Sequence, residues 1–252
     1  MKNSRLDYKK YKIYLNSESH AEETIRLDSC KREPDTVKWI ENLTSDSILY
    51  DIGANTGSYS LISASQKLIK KEIKSESFKN NKKISVVSIE PHPGNYISLI
   101  KNIYMNKFHE LIMPLNIAVG KEDNIGFLNH WDGMPAKHPY KLIEAGSSGH
   151  QLNNTESEEN RIFKPLAVQP IISLTLDMIV KLTNLIPTAI KIDVDGIEHE
   201  IIQGMKETLE NDNLKTILIE VNKKEDQIKN ILIKNDFKLT DICKHNNMIF
   251  ER

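Results

Sequence analysis

Asp51-Ile52-Gly53-Ala54-Asn55-Thr56-Gly57 overlaps the end of a short apolar strand, Ile48-Leu49-Tyr50-Asp51-Ile52, and opens onto a helical stretch from Tyr59 to Ile73. Gly53 and Gly57 allow a tight turn and let backbone N–H groups approach a ligand closely. The N-terminus of the helix beyond them favours a carboxylate or phosphate. The spacing is D-x-G-x-x-x-G, not the G-x-G-x-x-G of dinucleotide-binding turns. An acid ahead of the glycines suits a cationic or polar ligand head better than a pyrophosphate. Glycine at a strand-to-helix turn also has purely structural uses, so the motif takes its meaning from what surrounds it.

Outward from this turn the chain alternates. Upstream, Pro34 opens a helix to Leu43, with Val37, Ile40 and Leu43 three apart. Downstream come a strand at Ser85–Glu90, a helix at Pro93–Met105 and a third strand spanning Leu111–Val119. Alternation resumes with a strand at Thr188–Asp193, a helix at Glu198–Glu210, a strand at Leu214–Val221 and a helix at Lys224–Lys234. Strands separated by helices imply parallel βαβ units. Phe237–Ile242 and Asn247–Glu251 have no helix between them and imply an antiparallel pair at one sheet edge. The expectation is a doubly wound α/β fold with a seven-stranded, mainly parallel sheet and an antiparallel C-terminal strand. Residues 1–33 read as a polar extension or lid, and residues 34–252 as the main domain. Within it, 121–170 is rich in Gly, Pro and polar residues and reads as an irregular insertion that covers a substrate. The lysines between Gln66 and Lys83 read as a solvated helix end and loop.

Glu90 ends the second strand, where an acid in this fold can chelate the two hydroxyls of a ribose. The glycine turn and this acid together point to a nucleoside ligand. Three further segments complete a pattern: Asn116-Ile117-Ala118-Val119-Gly120, Thr175-Leu176-Asp177 and Ile190-Lys191-Ile192-Asp193-Val194-Asp195-Gly196. With Asp51–Gly57 and Ile89-Glu90-Pro91, they resemble the FkbM-type methyltransferases. These are class I enzymes that use S-adenosylmethionine, largely as O-methyltransferases on sugars and secondary metabolites. The chain differs from the family pattern in carrying Asp195 where Glu is usual.

The resemblance implies a role for each matching residue. Asp51 would lie near the methionine end of S-adenosylmethionine, with Gly53, Asn55 and Gly57 wrapping it. Glu90 would hold the ribose hydroxyls, while Asn116 and Ala118 would lie against the adenine. Asp193, at the end of the fourth parallel strand, would face the transferred methyl group. These groups should converge at the carboxyl ends of the strands.

Transfer to a hydroxyl needs the oxygen aligned with the methyl and its proton removed. Asp193 is the leading base or orienting group. His150 is the second catalytic candidate, because imidazole titrates near neutrality and glycines flank it in the insertion. His130 and His138 share that segment, and Trp131 and Tyr140 there could stack on a sugar ring. His92 and His199 have weaker claims. Glu220 reads as a cleft residue or a buried acceptor, and Glu33 as a closing group or helix cap. Asp193, Asp195 and Glu198 offer hard oxygens of the kind Mg²⁺ prefers. Acids also gather at helix starts without a metal, so magnesium is not favoured and no metal ligand is assigned.

Composition removes other classes. Lys plus Arg is 34 and Asp plus Glu 35, a net charge of −1 that offers no global field for nucleic acid or an anionic membrane. Twenty-nine of the cations are Lys and five Arg, so bidentate phosphate recognition is poorly provided for. Cys30 and Cys243 have neither disulfide-framework nor metal-ligand spacing. The N-terminus lacks a signal-peptide core, and no apolar run approaches the roughly 20 residues of a membrane span. A soluble, cytoplasmic O-methyltransferase acting on a sugar, glycan or other small-metabolite hydroxyl is the leading expectation. The alternatives are a non-catalytic S-adenosylmethionine-binding module and, less favoured, a nucleotide-cofactor oxidoreductase.

Overall fold

The computed structural model describes residues 2–74, 84–130, 145–146, 148–155 and 162–252. Its first strands, β1 (Asn3–Arg5) and β2 (Tyr14–Asn16), pair antiparallel. Short helices α1 (His20–Thr24) and α2 (Ser29–Arg32) then lead to α3 (Pro34–Asn42), which has the anticipated proline in its first turn. Residues 1–33 read as an extension or lid, yet Leu6, Tyr8, Ile13 and Leu15 of that segment are buried in a core shared with Ile40, Leu61 and Leu99. Glu22 anchors the same segment. Its buried carboxylate accepts from Asn16 Nδ2, from the amides of Glu18 and Ser19, and from Ser98 Oγ.

The first half of the main sheet is β3 (Leu49–Ile52) and β4 (Val86–Ile89), runs buried on both faces, with β5 (Ile112–Leu115), half-buried, at the edge. Helices α4 (Ser58–Lys74) and α5 (Pro93–Met105) connect them. The strand anticipated over Leu111–Val119 is two strands. β5 stops at Leu115, and β6 (Ala118–Val119) joins another sheet. Asn116 makes the break: its side-chain Nδ2 donates to the carbonyls of Glu90 and Pro91, at 2.8 and 3.1 Å.

The insertion is likewise ordered where it is described, because alternation in its sequence makes a second, four-stranded sheet. β7 (Asn124–His130), β8 (Gln151–Leu152) and β9 (Ala167–Leu174) lie in the order β6-β9-β7-β8. One face buries Leu128, Leu152 and Ile171, and the other exposes Ile125, Phe127, Val168 and Ile172.

Next comes α6 (Leu176–Thr183), capped by the Thr175 hydroxyl, which accepts from the Met178 amide. β10 (Ala189–Ile192) follows. The single helix anticipated over Glu198–Glu210 is broken into α7 (Glu198–Gln203) and α8 (Lys206–Glu210). Gly204 sits in the break, against the second sheet. A Cβ there would lie 2.2 Å from the Gly120 carbonyl oxygen. Asp177 caps α8, accepting from the amides of Glu207 and Thr208. The chain ends with β11 (Thr216–Glu220), α9 (Glu225–Lys234), β12 (Lys238–Ile242) and β13 (Asn247–Glu251).

The seven-stranded order is β12-β13-β11-β10-β3-β4-β5. The five strands from β11 to β5 are parallel, and β13 runs antiparallel to both β11 and β12. The winding reverses between β3 and β10, which opens a crevice at the carboxyl ends of these two strands. No helix among the described residues is long and apolar enough to cross a membrane.

Candidate active site

Two loops leave the sheet at this reversal. Gly53 turns out of β3 with φ +80°, and a Cβ on it would lie 1.9 Å from the carbonyl oxygen of Asp193 beyond β10. Only glycine fits so close an approach with that backbone. Asn55 is left-handed at φ 50°, a conformation that Asn tolerates better than most residues. Gly57 follows at φ +90°, with Leu99 packed where a side chain would be.

Glu90 faces this turn from the end of β4. Its Oε2 accepts from the Asn55 amide at 2.8 Å, and its Oε1 from the His92 amide at 2.8 Å and from Asn95 Nδ2 at 3.4 Å. Burial lifts its pKa to about 7, against the lowering pull of these donors and of the Arg26 charge. The carboxyl is thus fixed in place before any ligand arrives.

The far side of the crevice is built on a buried cation. Lys191 projects from β10 with Nζ 2.6 Å from Asp193 Oδ2 and 3.6 Å from Asp51 Oδ1, beneath the ring of Tyr59. Burial opposes its charge, but Asp193, Asp51 and Glu33 outweigh burial and raise its pKa. Burial would likewise raise Asp193. The Lys191 charge and hydrogen bond override that and hold Asp193 ionised. Glu220, at the end of β11, shares a hydrogen bond with Asp193. Burial and the Asp193 charge push its pKa up to about 8, so it carries the proton at neutral pH.

Residues from outside the main sheet complete the walls. Arg26, between α1 and α2, lines the cavity and donates from Nε and Nη2 to the Gly146 carbonyl, at 3.1 and 2.7 Å. Asp195 receives the Gly149 amide at 2.6 Å on its carboxylate, and its carbonyl accepts from Gln151 Nε2. Asp195 therefore ties down the segment that bears His150. The rings of His150 and His92 stack at 4.2 Å between centroids, with His130 tilted against both. Burial, then the two neighbouring imidazoles, lower the His150 pKa to about 2, which leaves a neutral ring of weak basicity.

Of the residues singled out from the sequence, Gly53, Asn55, Glu90, His92, Ala118, His150, Asp193 and Asp195 line one cavity. Asp51 lies behind its wall, held by Lys191 and by the Ser60 hydroxyl at 2.5 Å. Gly57 is in the first turn into α4, and Asn116 is spent on the Glu90–Pro91 carbonyls. Among the described residues, Asp193, Asp195 and Glu198 do not gather as a metal-ligand group. Glu198 is fully buried and accepts from the Gly196 amide. Glu33 accepts from the Thr36 hydroxyl at 2.9 Å. His199 stands outside the cavity lining. Trp131, His138, Tyr140 and residues 75–83 lie outside the described residues. Sequence reasoning missed Arg26, Lys191, Asn95 and Gln151. Only Lys191 had a signal, as a cation inside the apolar run Ile190–Ile192.

A crevice at the reversal of this strand order, with a glycine turn on one side and acids ending the adjacent strands, defines the Rossmann-like fold of class I methyltransferases. The methyltransferase FkbM domain matches residues 51–245, and the chain belongs to that family. Among solved structures, methyltransferase FkbM from Methylobacillus flagellatus is similar over 84% of this chain and 44% of that one, with a TM-score of 0.52 at 13% identity. This chain thus spans less than half the length of that relative. A protein of the NADB-Rossmann superfamily from Streptococcus agalactiae matches over 86% of this chain and 67% of that one, at 13% identity and a TM-score of 0.45. M. jannaschii TYW2, in complex with AdoMet, matches over 99% of this chain and 86% of that one, at 12% identity and a TM-score of 0.43. No curated protein sequence matches the chain.

Proposed function

We propose that the chain binds S-adenosylmethionine in this cavity and methylates a hydroxyl of a small acceptor, with a sugar or glycan hydroxyl as the preferred class. The observation that carries this reading is the shared cavity of Glu90 and Asp193. A buried, pre-positioned carboxyl ends one strand, and an ionised carboxylate follows another across a turn that admits no Cβ. The residues fit an adenosyl ligand. Glu90 offers acceptors to a ribose diol, Ala118 and Val119 give an apolar wall for a base, and Gly53 and Asn55 bring the backbone close.

When bound, S-adenosylmethionine supplies an electrophilic methyl carbon with a neutral thioether as its leaving group. The protein's part is alignment and proton management. Asp193 would accept the proton of an acceptor hydroxyl held against the transferable methyl. Lys191 and protonated Glu220 fix the Asp193 carboxylate in ionised form. Arg26 and residues 148–152 form the wall of the cavity opposite the sheet. The acceptor class rests on the family alone.

Calorimetric titration with S-adenosylmethionine, S-adenosylhomocysteine and NAD tests the cofactor. Micromolar binding of both adenosyl ligands with none of NAD is expected, followed by methyl transfer in a screen of sugar acceptors. Binding of NAD alone, or of none of the three, overturns the reading.

A further inference from the structure

Three histidines far apart in sequence meet at one wall of the cavity. His92 precedes α5, His130 ends β7, and His150 lies between Gly149 and Gln151. His92 and His130 are 1% and 3% exposed. One ring nitrogen from each of the three lies within 4.8 Å of the other two. His130 Nε2 faces the Gln169 Oε1 acceptor at 3.1 Å, which assigns the proton to Nε2 and leaves a lone pair on Nδ1. That buried Nδ1 has no hydrogen-bond partner among the described residues. A histidine whose outer nitrogen is fixed by a carbonyl, with its inner lone pair unspent, has the form of a metal ligand oriented from behind.

We propose that His92, His130 and His150 bind a divalent transition-metal ion of imidazole preference, zinc foremost. Neutral imidazoles suit zinc, copper, cobalt and nickel, whereas magnesium prefers oxygen ligands. Three protein ligands leave a fourth position for an oxygen, the composition of a catalytic rather than a structural site. His92 and His150 line the cavity, so that oxygen comes from water or from a hydroxyl of a molecule bound there.

Two adjustments accompany binding. Zinc–nitrogen bonds of about 2.0–2.1 Å bring tetrahedral ligand nitrogens to about 3.3 Å apart, so His150 turns out of its stack with His92. Gly149, at φ +87°, gives its backbone room to turn. His92 Nδ1 accepts from the Asn95 amide at 3.2 Å. Ligation through Nε2 moves the ring proton to Nδ1, and ligation through Nδ1 occupies that lone pair directly. Either way the helix-capping bond is exchanged for the metal, and the Asn95 amide reports it.

The test titrates chelator-stripped full-length protein with Zn²⁺ against a chromogenic chelator, and with Co²⁺ by visible absorption. No adenosyl ligand is present, so the outcome is independent of what the cavity binds. One equivalent is expected, with visible Co²⁺ bands of a nitrogen-rich site and a Zn²⁺-dependent shift of the Asn95 amide in ¹⁵N NMR spectra. Gln169→Leu should weaken binding on the order of 10–100-fold, and His130→Ala more, while His245→Ala should leave it unchanged. Circular dichroism checks that the variants fold, and the wild-type spectra need no variant. Absence of one-equivalent binding, binding that leaves the Asn95 amide unmoved, or full affinity in folded His130→Ala overturns the proposal.

Discussion

The Lys191 ammonium lies 2.6 Å from Asp193 Oδ2 on a side chain that is itself only 1% exposed. A charge so placed serves two carboxylates, one in the crevice and one, Asp51, behind it. Breaking a buried pair by removing one partner costs on the order of 3–5 kcal/mol. Lys191→Met should lose stability on that scale in urea denaturation at neutral pH. The sign for Asp193 follows from its lowered pKa. Its contribution is complete above the unfolded value, near 3.9, and is lost as pH falls through the folded value. In the variant Asp193 titrates higher, so the acid limb of the pH–rate profile should move to higher pH.

Glu90 and Asp193 should separate binding from transfer. Glu90→Ala removes the acceptors for a ribose diol and should weaken S-adenosylmethionine by about tenfold or more, the scale of one charge-assisted hydrogen bond. Asp193→Ala should instead lower kcat by roughly 10²–10⁴-fold, with cofactor affinity closer to that of the wild type. Calorimetry paired with single-turnover methyl transfer distinguishes the two. Unchanged cofactor affinity in Glu90→Ala would remove it from the ribose site.

Glu198 gives a pH dependence of the opposite sign. It is fully buried, its Oε2 has no hydrogen-bond partner among the described residues, and burial raises its pKa to about 8. A raised carboxyl binds its proton more tightly in the folded state. Stability therefore falls as pH rises from about 4.5 to 8 and levels off above. Each pKa unit is worth about 1.4 kcal/mol, so the effect is on the order of a few kcal/mol. Glu198→Gln keeps an acceptor for the Gly196 amide and removes the charge. The wild-type melting temperature should drop between pH 6 and pH 9, and that of the variant should drop less. Parallel curves for the two proteins would rule this account out.

Arg26 makes two hydrogen bonds to one carbonyl, which uses the fork of a guanidinium. Arg26→Lys supplies a point charge without that fork. It should loosen the segment that bears Gly146 and residues 148–152, seen as faster amide hydrogen exchange at Gly149 and Gln151, and should raise the KM for the cofactor several-fold. Exchange rates equal to the wild type would show that Asp195, Asn95 and Ser19 secure the segment without the Arg26 fork.

The main sheet was legible because its central strands are short, mostly apolar runs separated by helical segments and its decisive turn carries two glycines at fixed places. The limits of sequence reading are equally specific. Leu111–Val119 is one apolar run by composition, and only the Asn116 side chain, bonded to carbonyls 25 and 26 residues earlier, ends the strand. β9 contains Pro170, which sits opposite Phe127 in the register, at the end of a stretch whose Gly, Pro and polar content read as an irregular insertion. Glu90, Gly53 and Asp193 were found because strand ends of this fold have a known direction. Arg26 and the meeting of His92 with His130 were not, since proximity between distant loops leaves no periodic mark. The role of Asp195 was hidden in the same way, because its partners are the Gly149 amide and the Gln151 side chain.

The position of β13 between β11 and β12 has a consequence during synthesis. A ribosome delivers β12 before β13, yet β12 has no seat in the sheet until β13 is paired. Until Asn247–Glu251 has emerged, β11 presents an unpaired row of amides and carbonyls, an edge that invites pairing with another nascent chain. β13, delivered after β12, is thus the strand that seats this edge of the sheet, and chains stalled short of it should be the aggregating species on polysomes.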